Sequence, residues 1–241
     1  MRGILLQSLL AGAATLLGSL AVLALGRPGE KTLALLLSAA GGVMIAVVGL
    51  DLLPSAFHYG GLTNVLAGFF FGFALLWVVG LLFSALEPGA AARSRLYLLR
   101  MGYLIALGIA FHDLPEGMAI AAGYSATERL GGIIALAIGL HNIPEGMATT
   151  TPLVMGGLHP AWILGINALI SLFTPLGALL GITVISVSSS LLAALLALAG
   201  GAMFYLAYCQ LLPEARRRHL GYSWRGFLLG ALCFGVLNLL H

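Results

Sequence analysis

Charge is what this sequence has least of. Only 8% of its 241 residues are Asp, Glu, Lys or Arg, against roughly a quarter in a water-soluble domain. With 61% of the chain hydrophobic, there is not enough polar surface to face water, so most of the exterior must face lipid. Cysteine is almost absent too. Cys209 and Cys233 both sit in apolar stretches and read as small buried hydrophobes, which leaves no disulfide framework and no cysteine metal cluster. Long polar linkers are also missing, so residues 1–241 read as one transmembrane domain. The small excess of base, formally +3, is spread over short segments flanking apolar runs. That is ordinary membrane topology and implies no nucleic-acid partner.

Lipid offers no hydrogen-bond partner to a bare peptide group, so the expected fold is all-α, with spans of about 20 apolar residues. Eight such spans are predicted: 4–25, 32–53, 62–86, 97–123, 130–153, 161–184, 191–212 and 227–240, the last with its start near Tyr222. Arg2 followed by apolar residues resembles a signal peptide. The stretch is long for that role, however, and the alternation of loops requires it as a retained helix. Breaks are marked by Gly26-Arg27-Pro28-Gly29, by Pro54, by Glu87-Pro88-Gly89, by the polar run from Ser125 to Arg129, and by the serines from Ser186 to Ser190. The loops of one side hold Arg27, Lys31, Arg93, Arg95, Arg100, Arg216, Arg217, Arg218 and Arg225, and the other side holds only Arg2 and Arg129. The positive-inside rule then places both termini outside the cytoplasm, in a multi-pass protein of the cell membrane.

Ionisable residues inside a span are costly and mark functional sites. The fourth span carries His112-Asp113-Leu114-Pro115-Glu116-Gly117-Met118-Ala119. The fifth carries His141-Asn142-Ile143-Pro144-Glu145-Gly146-Met147-Ala148, offset by 29 residues. One crossing separates the strings, so they run antiparallel at similar depth. In each, His and Glu lie at i and i+4 on one helical face. The proline at i+3 lacks an N–H, which frees the carbonyls of Phe111 and Leu140 and bends the helix. Two imidazoles, three carboxylates (Asp113, Glu116, Glu145) and the amide of Asn142 form a mixed N/O donor set. Such a set suits Zn2+ and other first-row divalent ions rather than Ca2+. A single string could be a packing pair or a proton relay; two facing copies argue against that.

A second repeat joins the second and seventh spans. Gly41-Gly42-Val43-Met44 and Asp51-Leu52-Leu53-Pro54 match Gly200-Gly201-Ala202-Met203 and Gln210-Leu211-Leu212-Pro213 at an offset of 159. The two spans cross in opposite directions, which defines an inverted repeat of the kind that supports alternating access. At helical spacing Met44 and Asp51 share a face, as do Met203, Gln210 and Glu214. Asp51 is a candidate for the outer way in, and Gln210 and Glu214 for the way out. Glu214 also has an alternative role as an ion-pair partner of Arg216–Arg218. His58, His159, His219 and His241 read as loop or terminal histidines.

These features resemble the ZIP family of divalent-metal transporters, in its bacterial zinc-uptake branch. The resemblance covers essentially the whole chain: the eight spans, the paired strings and the Met44/Leu53-Pro54 pattern. It implies a 3+2+3 helix arrangement and uptake of metal toward the cytoplasm. His112, Asp113, Glu116, His141, Asn142 and Glu145 match the family's metal positions, and Met44 a position lining the same site. The metal is cargo, and no cofactor is implied. Two departures stand out. Asp113 occupies a position that is usually Asn, and Thr174, before Pro175-Leu176-Gly177, occupies one where this branch often has Glu. The resemblance also makes a homodimer plausible, and small-residue faces near Gly68 and Gly72 permit close packing of helices. Alternatives from other classes are an intramembrane zinc-dependent hydrolase, for which no HExxH string is present, and a metal-binding sensor without flux.

Overall fold

A computed structural model describes residues 2–26, 29–84, 93–184 and 189–239. Among them there is no strand, and helices succeed one another in eight rods. We name these α1 (Arg2–Leu25), α2 (Glu30–Val47, continued through Val48–Leu52 and Leu53–Tyr59), α3 (Leu62–Ser84), α4 (Arg93–Ala126), α5 (Glu128–Met155), α6 (Pro160–Ser171 and Phe173–Val184), α7 (Ser189–Tyr205, continued through Leu206–Leu211 and Leu212–Arg218) and α8 (Leu220–Leu239). Six rods, all but α5 and α8, are long and apolar enough to cross a membrane by length and composition. Large apolar side chains such as Leu10, Phe70, Phe71 and Leu232 lie exposed on the outside, as a lipid-facing surface requires. The expected breaks at Arg27-Pro28, at Glu87-Pro88-Gly89 and at Ser186–Ser188 lie outside the described residues, as do Leu86, Leu240 and His241.

The rods differ from the expected spans for identifiable reasons. Pro54 and Pro213 do not end their helices. In each case the chain widens into a π turn just before the proline, at Val48–Leu52 and Leu206–Leu211. There Leu53 N–H donates to Val48 O and Leu212 N–H to Ala207 O, five residues back. The extra residue relieves the clash between the proline ring and the carbonyl four positions earlier. Pro54 still leaves Leu50 O without its helical donor, and Asn238 Nδ2 of α8 donates to it at 3.3 Å. The sixth span is interrupted at Leu172. The eighth begins at Leu220, where His219 Nδ1 accepts from Tyr222 N–H. Between α4 and α5 only Thr127 is non-helical. Its side chain accepts from Leu130 N–H at 3.1 Å and caps α5.

The rods assemble into two sets. α4 and α5 lie side by side, with α6 packed on α4 and α1 on α5; α2 and α7 lie side by side, with α8 on α2 and α3 on α7. The sets meet mainly where α4 touches α7 and α2 touches α5. Close backbone approaches recur in matching pairs. Gly146 faces Thr15 O as Gly117 faces Thr174 O, and Gly42 faces Phe227 O much as Gly201 faces Phe69 O. Thr15 and Thr174, like Gly42 and Gly201, are 159 residues apart, and Gly117 and Gly146 are 29 apart. Those are the same offsets that relate the sequence motifs.

Three expectations are corrected here. Gly68 and Gly72 are not free for a second copy, because they receive Ala194 O and Leu198 O of α7 within the chain. Cys233 is exposed on the outer surface of α8 rather than buried; both cysteines are free thiols. His58 belongs to the last turn of α2 rather than to a loop; His159 does lie in the loop before α6, where its Nδ1 accepts from Ala161 N–H and caps the helix. A Cβ at Gly117 or Gly146 would overlap a carbonyl oxygen, whereas at Gly165 it would meet open space. Gly117→Ala and Gly146→Ala should each cost about 1–3 kcal/mol through overpacking. In detergent, thermal unfolding should show a lowered Tm for both and none of that loss for Gly165→Ala.

Candidate metal site

The two polar strings fall in the middle of α4 and α5, the pair at the centre of their set. The apolar stretch of α4 is 78% buried, against 22% for α3. Charges inside a membrane protein are tolerable only where the bundle, not the lipid, surrounds them, and the string sits on a rod that meets this condition. Both helices run unbroken through Pro115 and Pro144.

Antiparallel packing brings the strings together reciprocally. His112 Nε2 of α4 lies 3.0 Å from Glu145 Oε1 of α5, and His141 Nε2 of α5 hydrogen-bonds Glu116 Oε1 of α4 at 2.9 Å. Each histidine thus meets the glutamate of the other helix. On α4, His112 Nδ1 lies 3.3 Å from Asp113 Oδ1 and 3.8 Å from Glu116 Oε1. One donor atom from each of His112, Asp113 and Glu116 falls within 4.8 Å of the other two. His112, Asp113, Asn142 and Glu145 are fully buried, and Glu116 and His141 are 2% exposed.

The donor atoms are close to one another yet largely unpaired. Both oxygens of Asp113 and of Glu145, Glu116 Oε2, both ring nitrogens of His112 and His141 Nδ1 have no hydrogen-bond partner, because most of the short approaches lack hydrogen-bond geometry. Buried polar atoms are almost always paired, so such a concentration demands an explanation. Three carboxylates whose only described charge partners are two imidazoles carry a large desolvation cost when left alone. A divalent cation would take up these lone pairs and most of that charge. Two imidazoles with carboxylates are N/O donors of the kind first-row divalent ions accept.

Asp113 and Asn142 hold equivalent places in the two strings and behave differently. Asn142 Nδ2 donates to Ala11 O of α1 at 3.0 Å, so its amide ties α5 to α1 and leaves Oδ1 facing no donor. A carboxylate has no N–H to make that tie. Asp113 instead stays beside His112 as a further oxygen donor. Thr174 is fully buried, with its hydroxyl unpaired and its carbonyl against Gly117, next to the string.

The remaining sequence candidates separate. Met44 is fully buried in the main apolar core, whose members include Ile109, Met118 and Ala148. Asp51, seven residues on, instead lines a cavity of about 270 Å³ together with Ser55, Tyr59, Asn238 and Glu116. A π turn, Val48–Leu52, lies between them along the helix. Ser55 Oγ donates to Asp51 Oδ1 at 3.3 Å. This cavity connects Asp51 to Glu116. Gln210 lines a separate, small cavity of about 30 Å³ beside Tyr97 and Arg100, and its Nε2 donates to Tyr205 Oη at 3.1 Å. Glu214 is 6% exposed and accepts from Arg218, whose guanidinium also reaches Glu30 of α2 at 2.9 Å. It is therefore held in the ion pair considered as its alternative role, with Arg218 as the partner. Sequence reasoning missed Ser55, Tyr59 and Asn238. A lone Asn in the apolar α8 was the available signal, but nothing local tied it to α2.

A membrane-type bundle of helices around a buried, largely unpaired His/carboxylate cluster defines a polytopic protein whose interior carries donors of the kind a divalent metal ion accepts. Residues 88–238 match the family described as ZIP zinc transporter. The chain is 35% identical over 231 residues to the zinc transporter ZupT of Chlorobium luteolum, a match spanning 88% of this chain and 87% of that protein. It is 35% identical over 234 residues to ZupT of Xanthomonas axonopodis pv. citri, spanning 90% and 86%. For ZupT of Stenotrophomonas maltophilia (strain R551-3) the identity is 32% over 238 residues, spanning 90% and 87%. The chain belongs to the ZIP zinc transporter family. That family is one of metal transporters, which sets the hydrolase alternative aside.

The reciprocal pairing has a measurable consequence. His112→Ala and Glu145→Gln should each weaken Zn2+ binding at least tenfold, the scale seen when groups holding a metal are removed. Because the two side chains meet, the double variant should lose much less than the product of the single effects. Calorimetric titration of purified protein with Zn2+ checks both statements; independent, multiplicative losses would contradict the pairing.

Proposed function

We propose that this protein moves divalent transition-metal ions, Zn2+ foremost, across the cell membrane into the cytoplasm, through a site made by His112, Asp113, Glu116, His141, Asn142 and Glu145, with Met44 lining it. Cd2+, Fe2+, Mn2+ and Co2+ accept the same donors and belong to the same substrate class. The observation that carries this reading is the crossing of His112 with Glu145 and His141 with Glu116 in a buried cluster whose remaining donor atoms are unpaired. Membership of the ZIP family and the likeness to proteins named zinc transporters support it.

In this proposal all eight rods cross the membrane, as a 3+2+3 arrangement with an inverted repeat, in a single domain. The paired approaches at offsets of 159 and 29 support that reading. Both termini are extracytoplasmic. The cations support this orientation: Arg95 donates to Gly156 O, Arg100 to Gly80 O, and Arg218 joins Glu214 to Glu30, so the start of α2 and α4 and the end of α3, α5 and α7 share one end. That end faces the cytoplasm. Metal arrives from the other side through the cavity that runs past Asp51 and reaches Glu116. It exchanges water for carboxylate and imidazole as it enters. Release requires the cytoplasmic end to part near Gln210 and Glu214, where Tyr205, Arg218 and Glu30 now engage these side chains. A shift of the α1/α4/α5/α6 set against the α2/α3/α7/α8 set would open one end as it closes the other. A homodimer, if formed, uses a face other than Gly68–Gly72.

Uptake of zinc-65 into proteoliposomes is the decisive measurement. Wild-type protein should accumulate the isotope, and His112→Ala and Glu145→Ala should reduce accumulation at least tenfold. Stoichiometric Zn2+ binding by folded wild type without any flux would refute the transport reading and favour a sensor.

A further inference from the structure

The cytoplasm-facing end carries a feature that metal transport does not use. A groove of about 340 Å³ opens between α2, α7 and α8. Ile45, Phe204 and Phe227 form its apolar floor, and Tyr208 and Trp224, 57% and 51% exposed, stand along its sides. Arg216 closes one end, its guanidinium 5.3 Å from the centre of the Trp224 ring. We propose that this groove holds one anionic phospholipid, with an acyl chain along the floor and the phosphate on Arg216. The proposal rests on the chain being a membrane protein and is independent of whether it transports metal.

Charge identifies the occupant. Arg216, Arg217 and Arg218 share the last turn of α7, Arg218 reaches Glu30 and Glu214, and Lys31 and Arg225 lie over Tyr222 of α8. Both carboxylates are already engaged by Arg218. Lys31 and Arg225 both stack on Tyr222 of α8, at 5.7 Å and 5.3 Å from its ring centre. Among the described residues no carboxylate pairs with Arg216. A cation cluster of this kind on the cytoplasmic face of a helix bundle attracts anionic headgroups. A tryptophan and a tyrosine at the same level match the polar–apolar boundary of a bilayer. The two other described grooves of comparable kind differ in this respect. The one between α1 and α5 has only Gln7 as a polar lining residue, and the one between α2, α5 and α8 has no charged residue. They fit acyl chains of any lipid. Of these three, the Arg216 groove alone joins an apolar bed to a cation without a described carboxylate partner, which inorganic phosphate alone could not exploit because it has no chain to lay on the floor.

Native mass spectrometry of the full-length protein tests this. The protein is equilibrated with an equimolar mixture of phosphatidylglycerol and phosphatidylcholine and released from detergent. Wild type should retain phosphatidylglycerol over phosphatidylcholine by about fivefold or more, the scale expected of one cation near the bilayer surface. Arg216→Glu should bring the ratio close to one, Arg216→Lys should keep the preference, and Arg129→Glu at the opposite end should leave it unchanged. Equal retention of the two lipids by wild type would overturn the proposal. So would a preference that survives Arg216→Glu. Quenching of Trp224 by phosphatidylglycerol with brominated chains, read in a Trp77→Phe/Trp162→Phe background, places the lipid in the groove without relying on the arginine variants. A dimer in which Trp224 is shielded from that lipid would mean that a second copy covers the face, and the lipid assignment would fall. Because the readouts are bound lipid and fluorescence, loss of zinc flux does not affect them.

Discussion

The structure depends on the mutual crossing of two His–Glu pairs between antiparallel helices. Each imidazole meets the carboxylate of the other helix, so neither string is complete on its own. With Asp113 added, the centre sets three carboxyl groups against two imidazoles inside the bundle. Such a cluster can exist only if the surrounding rods shield it from lipid. That requirement shapes what lies around it. The helix bearing three of the donors is among the most deeply buried, and α1 and α6 press their backbones against Gly146 and Gly117 beside the two glutamates.

The surrounding set is held by polar ties as well as packing. Among α1, α5 and α6, Thr150 donates to Ser19 at 2.8 Å, and Asn167 reaches both Ser19 and Thr150. Asn142 adds its bond to Ala11 O. In a medium without water, such side chains satisfy one another across helix faces and bind the helices together. The other set relies more on close glycine contacts and on the ionic link from Glu214 through Arg218 to Glu30. Between the sets fewer elements touch, which is where relative movement would be least restrained.

The sequence motifs led to the His/carboxylate cluster but not to its asymmetry. His112, Glu116, His141 and Glu145 were legible because repetition at a fixed offset on helices of opposite direction implies a shared depth. That Asn142 is tied to Ala11 O while Asp113 stays unpaired could not be read locally, since the partner is a backbone group 131 residues away. A π turn adds one residue to a turn, so side-chain directions across Val48–Leu52 are not set by regular spacing alone. Pro54 and Pro213 were visible, yet a proline is equally consistent with a helix end and with a continued, widened helix. Gly68 and Gly72 were recognised as contact points, but the partner turned out to be α7 of the same chain.

By itself, the sequence determined that the protein is helical and lipid-facing, that its cations gather at one end, and that two matched His/Glu strings form its chemical centre. Those properties depend on composition, periodicity and repetition, which are written along the chain. Tertiary structure alone decided which glutamate each histidine meets, that Asp51 looks into a cavity reaching Glu116 while Met44 lies in the core, and that Glu214 is paired with Arg218. It also decided that Arg216 stands at the end of an apolar groove. Each of these depends on side chains from different rods meeting in space, and on π turns and a break at Leu172 that alter which way a helix face points.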